Sequence, residues 1–74
     1  MHYAVIIEQT QRGAFRAYVP DLPGCIATGS TREEAERSIR LAISYHLDTL
    51  RLDGVSVPLP TSKVHYVKVA SLPN

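Results

Sequence analysis

Along the chain, apolar and polar positions first alternate with a period of two, then recur every three or four residues. His2 to Glu8 (HYAVIIE) is rich in Tyr, Val and Ile, which favour strands. Tyr3, Val5 and Ile7 fall on one side, Ala4 and Ile6 on the other. Apolar character on both faces predicts a central strand. Gln9 to Gly13 is a polar turn. Ala14 to Val19 (AFRAYV) alternates cleanly, with Phe15, Ala17 and Val19 facing one way and Arg16 and Tyr18 the other. The short connection predicts an antiparallel hairpin. In Pro20 to Gly24 (PDLPG), two prolines forbid a continuing central strand and Gly24 supplies turn geometry. Cys25 to Thr28 (CIAT) is a short third strand ended by Gly29.

The period then changes. Ser30 and Thr31 are both good N-caps, each with a Glu three positions on (Glu33 and Glu34), so either register gives a capping box. From Arg32 to Leu52, Ala35, Ile39, Ala42, Ile43, His46, Leu47 and Leu50 form one wide face of an amphipathic helix. Glu33, Glu34 and Glu36 lie early and Arg51 late, as the helix dipole prefers. Glu33–Arg37 and Glu36–Arg40 have i,i+4 spacing. Gly54 marks the stop.

Val55 to Ser62 (VSVPLPTS) reads as a stiff, extended connection, and Lys63 to Ala70 (KVHYVKVA) as a fourth strand. Ser71 to Asn74 is a tail. The resulting order, β-β-β-α-β, is an α+β single domain spanning residues 1–74. A right-handed crossover through the helix places strand four beside strand one, giving the sheet order 3-2-1-4 with the helix on one face. That helix is about 31 Å long at about 1.5 Å per residue, against about 23 Å for a seven-residue strand. It covers only one sheet face, and Leu41, Tyr45 and Leu52 lie off its main stripe. These three, with Val64 and Tyr66 on the fourth strand, are the candidate oligomer interface.

Size strengthens that expectation. At 74 residues and 8.2 kDa, such a domain buries only about 60% of the surface of its unfolded chain. A homodimer or homotetramer is therefore expected. The net charge is +1, and four of the eight basic residues (Arg32, Arg37, Arg40, Arg51) share a segment with Glu33, Glu34, Glu36 and Asp48. Such a distribution argues against strong direct nucleic-acid binding. No signal peptide or membrane span is read, so a cytoplasmic location is expected.

Candidate chemistry is sparse. Cys25 is the single cysteine, which excludes an internal disulfide or a multi-cysteine zinc site. A nucleophilic Cys needs a nearby base, and nothing in the spacing assigns one; a small buried apolar residue is the simpler reading. His46 lies on the apolar stripe and His65 in a Val/Tyr run, neither with metal-ligand spacing. Metal-dependent nuclease chemistry needs several carboxylates on adjoining strands. Only Glu8 lies on a strand, with Asp21 in the loop after the second. No catalytic residue, metal or cofactor is assigned. What remains is PDLPGC, a turn stiffened by two prolines and therefore cheap to immobilise on a partner.

At this loop the sequence resembles the HicB-type antitoxins of toxin–antitoxin pairs. The resemblance rests on YAVIIE, FRAYVPDLPGCIATGST, EEAERSIRLAISYHL and DGVSVPLPTS, which together span residues 3 to 62. It implies a partial RNase H-like fold lacking the active carboxylates of the enzymes. The implied partner is a HicA-type toxin, a histidine-dependent mRNA endonuclease whose active site and RNA surface the antitoxin occludes. Many such proteins append a DNA-binding domain; ending at Asn74, this chain is expected to be a short form without one. The partner-binding candidates are Pro20, Asp21, Leu22, Pro23, Gly24 and Cys25, with Tyr18, Arg16 and Glu8 beside them. A second reading keeps the fold but no toxin, as an orphan homo-oligomeric regulatory or small-ligand-binding protein. A third is an enzyme using Cys25 or His46.

Overall fold

The computed structural model describes residues 1–70. Three short strands, β1 (Ile6–Gln9), β2 (Phe15–Tyr18) and β3 (Ile26–Gly29), precede one long helix, α1 (Arg32–Leu52). The strands form an antiparallel sheet in the order β1-β2-β3, so the chain is α+β with the helix on one sheet face.

The hairpin closes where the polar residues indicated. Thr10 N–H donates to the Ala14 carbonyl (2.7 Å) and Gly13 N–H to that of Thr10 (3.0 Å), with Gly13 at φ +83°. Its register pairs Ile6 with Tyr18 and Glu8 with Arg16, while β2 and β3 pair Tyr18 with Ile26 and Ala17 with Ala27. β1 begins at Ile6, later than the expected His2. Strand β2 stops at Tyr18 because the chain turns off at Pro20, which has no N–H to give, leaving residues 2–5 without a ladder partner.

Helix α1 has the expected boundaries. Thr31 is the N-cap, its Oγ1 accepting from Glu34 N–H at 3.1 Å. The Glu34 carboxylate reaches back to Ser30 N–H at 3.2 Å, one residue before the cap. At the other end Gly54, at φ +71°, donates to the Arg51 carbonyl and Val55 N–H donates to that of Leu50. These two bonds form a Schellman stop. Of the expected i,i+4 pairs, Glu36–Arg40 forms at 3.1 Å; Glu33–Arg37 does not.

The core lies between α1 and the inner sheet face. Ala17, Val19, Leu22, Cys25, Ala35 and Ile39 are buried, with Tyr3, Val5, Ile7, Phe15, Ala27, Ala42, Ile43 and Leu47 packed around them. The helix starts almost on top of β3. A Cβ on Gly29 would lie 2.5 Å from the Ala35 nitrogen, so only glycine permits this approach. The helix therefore sits towards the β3 side, and Val5, just before β1, and Ile7 within it are only partly covered.

The fourth strand is the main correction. Lys63 to Ala70 forms no strand, and the order 3-2-1-4 is not present. Val64, Tyr66, Val67 and Val69 are 61–91% exposed. Consequently β1, expected at the centre, is an edge. The physical reason lies just upstream, where Asp21 and Tyr3 hold the connection. Tyr3 Oη donates to the Pro58 carbonyl and Ser62 is fastened to Asp21 in the loop after β2, so the connection is held only as far as Ser62 and no backbone bond carries Lys63 to Ala70 onto β1. The expected tail, Ser71 to Asn74, lies outside the described residues.

Candidate binding site

The sheet face turned away from α1 carries two cross-strand rows. Ile6, Tyr18 and Ile26 stand side by side through their register, and so do Glu8, Arg16 and Thr28. The first row is apolar, with Ile26 56% exposed. In the second, Arg16 bonds Glu8 at 3.0 Å and lies 5.7 Å from the centre of the Tyr18 ring. Holding both neighbours presents the guanidinium in one place on the face. Both ion-pair partners are about half exposed, so the pair contributes little to stability.

Strand β2 leads directly into the proline loop. Val19 N–H donates to Cys25 O (3.3 Å), Leu22 N–H to Val19 O (3.1 Å) and Cys25 N–H to Leu22 O (3.0 Å). Gly24 closes the loop at φ +83°, a left-handed conformation that favours glycine. Leu22 points inward and is fully buried, and Cys25 is buried beside it. Pro20, Pro23 and Gly24 are exposed. A shallow cleft of about 350 Å³ runs from Arg16 and Tyr18 past Pro20, Pro23 and Gly24 to Ile26. Loop and open face are thus one continuous surface.

Asp21 faces the other way. It accepts from Ser62 N–H (2.8 Å), Ser62 Oγ (2.8 Å) and Thr61 Oγ1 (3.2 Å). The Ser62 bonds hold its carboxyl below the ordinary value of 3.8, against a smaller opposing effect of desolvation. Burial pushes the Cys25 thiol up from 9.0, which disfavours the thiolate a nucleophile requires.

Of the nine partner-binding candidates, Arg16, Tyr18, Pro20, Pro23 and Gly24 share the cleft surface, with Glu8 adjoining through Arg16. Leu22 and Cys25 fix the loop from within, and Asp21 fastens it to the segment after the helix. Ile6 and Ile26, which flank Tyr18 on the same face, were not among the candidates; only the phase of Ile6 was available in the hairpin alternation. The Asp21–Ser62 link, 41 residues apart, left no local signal. Of the oligomer candidates, Leu41, Tyr45 and Leu52 are 74–88% exposed on α1, and Val64 and Tyr66 project from the unpaired segment. Among the described residues no group of three or more His, Cys, Asp or Glu is placed to hold a metal ion. No helix among them is long and apolar enough to cross a membrane.

A family model described as the HicB-like antitoxin of bacterial toxin–antitoxin systems matches residues 3–71. The chain belongs to the HicB-like antitoxin family. Among curated relatives, a UPF0150 protein of Thermoplasma acidophilum is 36% identical over 58 residues, 78% of this chain and 84% of the relative. One from Helicobacter pylori is 44% identical over 51 residues, 69% of each. One from Synechocystis is 28% identical over 71 residues, 96% of this chain and 97% of the relative. The HicB-like match therefore covers the sheet, the proline loop, the helix and the extended segment together.

Proposed function

We propose that the protein is a non-catalytic cytoplasmic antitoxin. It binds a HicA-type mRNA endonuclease and covers that toxin's active site and RNA surface. The observation that carries this reading is the open sheet face continuous with a pre-shaped proline loop. Apolar Ile6, Tyr18 and Ile26 and the fixed charge of Arg16 offer a mixed contact surface, and the loop is already held by three backbone bonds. A loop ordered before binding loses little entropy on contact. The RNase H-like layout implied by the resemblance, completed by a fourth strand, and assembly as a dimer or pair of dimers belong to the same proposal.

The test is co-expression with the product of the adjacent small gene, scoring growth and then co-purification. Rescue with a stable complex, lost in Tyr18→Ala or Ile26→Asp variants that still fold, supports the reading. Absence of a toxic neighbour or of a complex overturns it in favour of an orphan oligomer.

A further inference from the structure

The chain is too open for a molecule of its mass. Its accessible surface is 6141 Å², about 1,600 Å² more than the roughly 4,500 Å² of a compact 8.2 kDa monomer. Its radius of gyration is 14.8 Å, against about 11 Å for a folded domain of this length. A standard interface takes about 800 Å² from each partner, so the excess is enough for one and more.

Two complementary features account for part of this excess. The first is Lys63 to Ala70, without regular structure and unpaired, with four apolar side chains 61–91% exposed. Such a β-prone segment lacks only a sheet edge. The second is the outer edge of β1. Thr10 N–H points inward to Ala14, so by strict alternation Ile7 and Gln9 aim their N–H and C=O groups outward. Beside that edge the core stands open as a cleft of about 420 Å³, lined in part by Tyr3, Val5, Ile7, Ile39 and Ile43. An added strand would cap the edge and roof the cleft.

Within one chain the segment and the edge do not pair. Ser62 is tied to Asp21 in the loop after β2, and Pro58 and Pro60 stiffen the approach. We infer that Lys63 to Ala70 of one copy adds as a fourth strand to the β1 edge of a second copy. The exchange is reciprocal. Each chain supplies one free strand and one free edge, so two copies close with two-fold symmetry and leave neither over. The inference deepens the self-association reading and does not depend on the toxin.

The experiment uses the full chain alone. Light scattering gives the mass, and isotope-filtered NMR on a mixture of labelled and unlabelled copies maps contacts between chains. The expected result is a dimer or larger assembly with intermolecular contacts from residues 63–70 to residues 5–9. A monomer refutes self-association outright. An oligomer whose contacts join 63–70 to its own β1, to the partner's 63–70 or only through Leu41, Tyr45 and Leu52 refutes the exchange alone. Val67→Pro removes a ladder donor at the centre of the segment. It should weaken association by about a hundredfold while leaving the helical circular dichroism unchanged; unchanged association would overturn the proposal. Toxin co-purification is a separate readout, so the two readings fail independently.

Discussion

At the scale of single residues, the proline loop divides its work between inside and outside. Leu22 fills the core with no exposure, whereas Pro23 in the same loop is exposed. Leu22→Ala should cost about 2–5 kcal/mol in urea denaturation. Pro23→Ala should cost under about 1 kcal/mol and show its effect in partner binding. Asp21 makes a different prediction. Its carboxyl titrates lower folded than unfolded, so its bonds stabilise the fold above the ordinary value of 3.8. That contribution is lost as pH falls through the depressed value. The Ser62 amide resonance should therefore titrate with a midpoint below 3.8. Asp21→Asn should abolish the titration and release the segment after Pro60.

At the scale of elements, α1 was the most legible part of the fold. Its spacing, its two Ser/Thr–Glu registers and Gly54 all lie within one contiguous stretch, and only the choice of Thr31 over Ser30 needed coordinates. Thr31→Ala should destabilise the fold by about 1 kcal/mol. Gly29→Ala should cost more, about 1–3 kcal/mol, because the new methyl meets helix backbone at 2.5 Å. Thermal denaturation of both variants would rank them. The strands were legible in phase but not in extent. Alternation placed Ala17 and Val19 inward and Arg16 outward, yet β1 lost residues 2–5 because Pro20 curtails its neighbour. The alternation of Lys63 to Ala70 records an affinity for a sheet. It carries no information about which sheet, and the segment it follows is held by a bond to a residue 41 positions away that no local pattern announces.

At the scale of the whole molecule, surface and core are poorly matched in a lone copy. If two copies share the edge described above, stability depends on protein concentration. Raising the concentration tenfold should add about 1.4 kcal/mol per dimer, enough to move the midpoint of thermal unfolding by about 3–6 °C for two chains of this size that unfold together. A midpoint that does not move with concentration would count against a dimeric folding unit. The candidate binding face was partly legible for a related reason. PDLPGC announces itself through its prolines, but the row Ile6, Tyr18 and Ile26 assembles only when three strands are in register.

The exposed segment from Lys63 to Ala70 also bears on how long the protein lasts in a cell. Extended chain with no ladder partner is the shape in which peptide bonds are most readily cut. A solitary copy offers eight such residues, whereas a copy whose segment is occupied withdraws them. Turnover should then fall as the population grows, because cleavage follows the fraction left open. Abundance would become self-reinforcing above a threshold and self-erasing below it, with the segment from Lys63 to Ala70 acting as the gauge.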